Sequence, residues 1–163
     1  MCIRDRGWSV SGEKSDALID FGGWHPVITR LIENADALHR WALFDRKPLS
    51  QWTAGRVALM GDAAHPMLPF LAQGAAMAVE DAWVLAEVIS KGQDFGKYQK
   101  RRLPRTSKVQ AASRANMGLF HKQTRAAQLA TYGPMWMAGK AAPNIVHRRM
   151  DWLYGYDAAK LKT

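Results

Sequence analysis

Residues 55–82, GRVALMGDAAHPMLPFLAQGAAMAVEDA, limit what this chain can fold into more than any other stretch. Arg56-Val57-Ala58-Leu59-Met60 is a short apolar run ending at a glycine, which predicts a buried strand. Gly61 permits a tight backbone turn, and Asp62 then presents an acceptor-only carboxylate just past the strand's carboxyl end. Open α/β sheets place their ligands at that edge. Pro66 and Pro69 stiffen the loop that follows. Gln73-Gly74-Ala75-Ala76 opens an alanine-rich helix whose first amides have no intrahelical partner. Small side chains there leave those donors open to a polar or anionic group.

The rest of the chain reads as follows. Glu13 to Phe21 has Ala17, Leu18 and Phe21 at helical spacing, with Gly22-Gly23 to end the helix. Pro26 opens a second helix with Val27, Ile28, Leu31 and Ile32 on its apolar face. Ala37 to Asp45 predicts a strand with Trp41 and Leu43 on one side and Arg40 and Phe44 on the other. The helix from Gln73 to Ser90 projects Ala75, Ala78, Val79, Ala82, Leu85, Ala86 and Ile89 onto one face, with Glu80 and Glu87 opposite. Lys91-Gly92 ends it. From Phe95 onward the chain is helical and basic, and Pro104 either kinks a helix or starts a new one. Gly133-Pro134 and Ala142-Pro143 read as breaks, Asn144 to Leu153 as a final helix, and Ala158 to Thr163 as a frayed tail.

With 163 residues and 48% hydrophobic content, the chain is large enough for a globular unit with a real core. The single cysteine, Cys2, excludes an internal disulfide framework and fits a reducing compartment, so a cytoplasmic location is expected. No apolar run approaches the roughly 20 residues that span a bilayer. The charge is unevenly placed: residues 91–163 carry 15 Lys and Arg against 3 Asp and Glu, whereas residues 1–90 carry 8 against 11. A basic half can bind nucleic acid, acidic lipid or a phosphorylated cofactor. No nucleic-acid motif accompanies the charge, so a solvated helical surface is the favoured reading. There is no G-x-S-x-G, and His25, His39, His121 and His147 have no nucleophile partner, which leaves hydrolase chemistry without support. His65 stands alone in its loop, with no second His, Cys or carboxylate at metal-ligand spacing, so no metal site is expected.

The block from GDAAHPM through AQGA to EDA closely resembles the second flavin-binding motif of the group A FAD-dependent aromatic monooxygenases, in their salicylate hydroxylase-like branch. Trp41-Ala42-Leu43-Phe44-Asp45-Arg46-Lys47-Pro48-Leu49 and Trp52 resemble that branch too, as does Asp151-Trp152-Leu153-Tyr154-Gly155-Tyr156-Asp157 more weakly. The resemblance covers most of the chain but only the later part of such an enzyme. Members hold the ADP half of FAD with a G-x-G-x-x-G fingerprint near the N-terminus. Here no two glycines fall two residues apart, so that fingerprint is absent. The expectation is therefore a C-terminal α/β fragment. It comprises the flavin-end part of a Rossmann-like FAD-binding domain and the end of a substrate-domain sheet, followed by a mostly helical C-terminal region. Residues 1–6 read as a non-native start, 7–54 as the end of the substrate domain with its return strand, 55–90 as the flavin motif and helix, and 91–163 as the helical region.

The resemblance also implies roles. The complete protein would use NAD(P)H to reduce FAD and hydroxylate a phenolic-acid-like aromatic with O2 through a flavin C4a-hydroperoxide. The fragment alone would be inactive. Gly61 and Asp62 would belong to the cofactor site, with Asp62 hydrogen-bonded to the ribityl chain, and the amides of Gly74, Ala75 and Ala76 would face the pyrimidine edge of the isoalloxazine, where the helix dipole favours negative charge. Gln73 would contact flavin or cap the helix, and the Pro69 carbonyl would lie beside the substrate ring. Local readings stand next to these: Asp62 as a cap or loop staple, Pro69 as a stiffener, His65 as a satisfied structural residue. Glu80 and Asp81 are adjacent, so their side chains diverge around the helix and a salt-bridge or capping role is expected rather than an acid/base pair. Expected partners are a small aromatic substrate and O2, with no nucleic acid and no membrane; a homodimer is left open. The alternatives are a basic helical module binding nucleic acid or acidic surfaces, or a related FAD enzyme such as a ubiquinone-pathway hydroxylase or an epoxidase.

Overall fold

The computed structural model describes residues 9–41, 43, 45–122 and 124–160. The proposed non-native start at residues 1–6, Phe44 and the last three tail residues lie outside them. The chain divides into two compact units, Met1–Leu43 and Phe44–Thr163.

In the first unit β1 (Ser9–Gly12) pairs antiparallel with β2 (Leu38–Trp41), and α1 (Lys14–Asp20) and α2 (Pro26–Glu33) lie between them in sequence. Both helices fall where periodicity puts them, with Pro26 at the start of α2 and Gly23 in the left-handed region at φ +80° after α1. Of the expected strand at 37–45, Leu38–Trp41 forms β2 in register with β1, and Ala42 and Phe44 lie outside the described residues. Arg40 pairs with Asp16 at 2.8 Å, and Lys14 Nζ donates to the Glu33 carbonyl at 3.0 Å.

The second unit is built on two helices, α3 (Gly74–Ser90) and α4 (Phe95–Phe120). The expected buried strand 56–60 is instead the two-residue β4 (Val57–Ala58), paired antiparallel with β3 (Thr53–Ala54), and Val57 is 64% exposed. Two clusters make the core. One gathers Trp52, Ala64, Val84, Val88 and Tyr98; the other Met77, Val109 and Leu153. The buried face of α3 is Met77, Asp81, Val84 and Val88. That corrects the expected alanine face, most of which is exposed: Val79 is 70% open and Ile89 57%. Asp81 sits on the inner side because α4 offers it a cation, described below.

α4 runs unbroken through Pro104 and α5 (Arg125–Ala141) through Pro134, so neither Pro104 nor Gly133-Pro134 ends a helix. Each proline removes one i→i−4 bond, and Pro104 lies on the exposed side of α4. Ala142-Pro143 is a break as expected. It is followed by α6 (Pro143–Arg148) and α7 (Asp151–Tyr154), two short helices in place of one. Ala158–Lys160 forms a 3-10 turn, so the tail is ordered at least that far. Among the described residues no helix is long and apolar enough to cross a membrane.

Among the described residues Ala72 is the non-glycine residue held in the left-handed region, at φ 52°, where a Cβ crowds the following carbonyl. Ala72→Gly is expected to raise stability by about 0.5–1 kcal/mol, the relief of crowding exceeding the entropy glycine adds to the unfolded chain. A urea midpoint that stays put or falls would contradict this.

Candidate functional site

The site begins at Gly61, in the left-handed region at φ +58°. A Cβ there would also lie 3.3 Å from the Ala78 Cβ, so both the turn and the close approach to α3 require glycine. Residues Gly61–Ala63 form a 3-10 turn whose carbonyl at Gly61 accepts from the amides of Ala64 and His65, each at 2.9 Å. The turn leaves Asp62 exposed, with no hydrogen bond to its carboxylate among the described residues. Asp62 Oδ1 lies 4.0 Å from where a Cβ on Gly74 would stand. The carboxylate therefore sits beside the start of α3. Gly74, Ala75 and Ala76 supply the helix's first amides, which have no intrahelical acceptor, and Gln73 gives no side-chain cap. A free acceptor thus lies next to free donors at the positive end of a helix.

The loop after the turn is hung from α4 by a ladder of side chains. Gln110 Nε2 donates to the Pro66 carbonyl at 2.8 Å, Ser113 Oγ to that of Leu68 at 2.5 Å, and Asn116 Nδ2 to that of Phe70 at 3.3 Å. Three residues at successive i,i+3 steps of one helix thereby hold alternate carbonyls of one loop. Pro69 lies between the last two, exposed, and its carbonyl accepts from the Ala72 amide at 3.0 Å.

Beneath both lies a buried charge network. Asp81 is fully buried. Its Oδ2 accepts from the Gly61 amide at 3.0 Å and meets His65 Nε2 at 2.5 Å, and its Oδ1 accepts from Arg102 Nε at 2.7 Å. Arg102, also fully buried, donates onward to Glu80 at 2.7 Å and to the Met77 carbonyl at 3.3 Å. Arg105 grips Glu80 with two bonds of 2.7 Å, donates to the Trp152 and Leu153 carbonyls, and stacks 3.6 Å from the centre of the Tyr156 ring. Glu80 and Asp81 thus serve salt bridges as expected, but their carboxylates meet at Arg102 instead of diverging, and His65 is bonded to Asp81 through Nε2 while its Nδ1 has no partner among the described residues. Burial by itself raises the Asp81 pKa; bonds from His65, Arg102 and the Gly61 amide outweigh it and leave the carboxyl below its ordinary 3.8. Burial, with the Asp81 charge nearby, pushes Tyr98 well above its ordinary range, and its hydroxyl donates to the Leu59 carbonyl at 3.0 Å.

Sequence reasoning therefore finds the turn and the helix start, which the fold brings together. It misses the Arg102 partner and the Gln110–Ser113–Asn116 ladder, whose only signal is polar residues recurring on the inner face of α4.

The family model described as "FAD binding domain" matches residues 32–113. The chain belongs to this FAD-binding family. It is 38% identical over 159 residues to a 3-amino-4-hydroxybenzoate 2-monooxygenase of Streptomyces platensis, covering 93% of this chain and 38% of that protein. To a 6-hydroxynicotinate 3-monooxygenase of Bordetella bronchiseptica it is 35% identical, covering 93% and 34%. Among solved structures, a salicylate hydroxylase in complex with substrate superposes with a TM-score of 0.76 at 29% identity, covering 98% of this chain and 39% of that one. Klebsiella pneumoniae HpxO complexed with FAD and uric acid gives 0.64 at 30% identity, covering 74% and 33%. The chain thus spans well under half the length of these relatives. It shares the FAD-binding fold of the salicylate hydroxylase, in a portion that is mostly helical with few strands.

A folded pKa below the unfolded one stabilises the native state above the ordinary value, and that contribution is lost as pH falls through the lowered value. Asp81→Asn is expected to cost about 1.5–3 kcal/mol at pH 7, since it removes one of the two carboxylates that neutralise the buried Arg102 and leaves Glu80 as the other. It should also flatten the loss of stability below about pH 3.8. Urea unfolding at pH 7 and at steps down to pH 3 checks both; a variant as acid-sensitive as the wild type contradicts the assignment.

Proposed function

We propose that this chain supplies the flavin end of an FAD-dependent, NAD(P)H-using monooxygenase that hydroxylates a phenolic-acid-like aromatic with O2. The observation that carries the reading is the free Asp62 carboxylate beside the uncapped start of α3. A ribityl chain offers hydroxyl donors and an isoalloxazine edge offers carbonyl acceptors, so the paired free groups suit the two parts of one ligand. Residues 7–54 would form the end of the substrate domain and its return strand, and residues 91–163 the helical C-terminal region.

FAD when bound supplies the redox chemistry, taking electrons from NAD(P)H and activating O2. What this chain supplies is position and electrostatics. Asp62 would accept from ribityl hydroxyls. The amides of Gly74, Ala75 and Ala76 would donate to the pyrimidine edge, and the α3 dipole would favour negative charge there, in a direction that assists a reduced flavin. Gly74 would keep that approach free of a side chain, and Gly61 would let the turn lie close to α3. The Pro69 carbonyl, held by the α4 ladder on either side, would border the substrate ring.

A basic module binding nucleic acid fits less well. Arg101, Arg102, Arg105 and Arg114 are each committed to carboxylates, at distances from 2.6 to 2.8 Å, and so are poorly placed to meet phosphates.

Asp62→Asn in the complete protein is expected to weaken FAD binding about 10- to 100-fold, the loss of charge-assisted bonds worth roughly 1.5–3 kcal/mol, with no change in thermal midpoint of the flavin-free protein. Flavin fluorescence titration measures the first and a thermal melt the second. Unchanged affinity would sink the assignment.

A further inference from the structure

We propose that Asp81 is the positioning residue for the flavin end: it ties the Gly61–Asp62 turn to the body of α3 and so sets the separation between the Asp62 carboxylate and the free amides at Gly74–Ala76. The proposal rests on the flavin-site reading above.

The Asp62 side chain makes no bond of its own among the described residues, so its place is inherited from the backbone of its turn. The amides of Ala64 and His65 close it on the Gly61 carbonyl, which fixes its shape but not its location. Ala78, 3.3 Å from a hypothetical Gly61 Cβ, stops it moving inward. The Gly61 amide, bonded to Asp81 at 3.0 Å, ties it to α3, while Arg46 Nη2 donates to the Ala63 and Ala64 carbonyls at its far end and makes no bond to α3 among the described residues. Asp81 and Gly74 lie on one helix, seven residues and about 10 Å apart along its axis. The helix is thus a rigid ruler with the turn tied at one mark and the free amides at the other.

The tie is stiff because the carboxylate cannot rotate. Oδ1 is taken by Arg102, itself fixed by Glu80 and the Met77 carbonyl, which leaves Oδ2 aimed at Gly61. His65 shares that oxygen and draws in the following loop, so the turn, the loop and α4 meet at one side chain.

The test compares Asp81→Asn with Val88→Ala, a truncation of the buried face of the same helix away from the turn. Both are made in the complete protein, and each is measured with FAD bound and with FAD stripped. In the flavin-free state the exchange rate of the Gly61 amide is read at matched global stability. With FAD, the dissociation constant is read by flavin fluorescence. Asp81→Asn is expected to speed Gly61 exchange and to weaken FAD each by about tenfold or more, whereas Val88→Ala changes either by less than about twofold. Equal effects of the two variants on Gly61 exchange would overturn the proposal. Should Asp81→Asn fail to fold, His65→Gln carries the same comparison with a smaller expected effect, because it removes one of the three bonds that orient the carboxylate. A wild-type protein that takes up no FAD overturns the flavin-site reading instead, and the Gly61 exchange comparison then decides the tether alone.

Discussion

A carboxylate with no exposed surface must be neutralised where it stands, and Asp81 shows how much structure that requirement can organise. An unpaired buried charge is too costly to keep, so Asp81 dictates that a cation be brought to it. Arg102 answers from α4, and in doing so fixes which face of α3 is packed against which turn of α4. The bond to Glu80 recruits Arg105, and Arg105 reaches the carbonyls of α7 and the ring of Tyr156. His65 and the Gly61 amide complete the carboxylate from the other side. A single ionised group thereby connects the proposed flavin turn, its helix, the long basic helix and the C-terminal segment.

The same constraint explains where hydropathy misleads. On α3 the most apolar stripe by sequence is the alanine and aliphatic row that includes Val79 and Ile89, and that row is largely exposed in this chain. The buried stripe instead contains an aspartate among Met77, Val84 and Val88. An acidic residue at i+4 and i−3 from large aliphatics is a legible sign of a buried ion pair, but nothing in the spacing says that its partner lies 21 residues on. Long-range pairing is where one-dimensional pattern ends.

Other features divide along similar lines. Glycine and proline that act locally were readable: Gly61 at its turn, Pro26 at the start of α2, Gly92 after α3, Pro143 at the start of α6. Pro104 and Pro134 were not, because whether a helix tolerates the lost bond depends on what packs along it rather than on the dipeptide. Strand β1 left no mark, since Ser9-Val10-Ser11-Gly12 has little apolar content and owes its conformation to β2. The candidate site was legible as chemistry, an acceptor at a turn followed by bare amides. Its rigidity was not, because the side chains that confer it come from α4, in the Gln110 to Asn116 ladder and in Arg102.

The account stands or falls on whether the Asp62 turn and the α3 start serve one ligand. A crystal structure of the complete protein with FAD bound tests that most directly. The account predicts ribityl hydroxyls on Asp62 and the pyrimidine edge of the ring within about 3 Å of the amides of Gly74–Ala76, with the Gly61 amide still bonded to Asp81. A flavin seated elsewhere, or an Asp62 turned away from it while α3 is capped by another group, would contradict it.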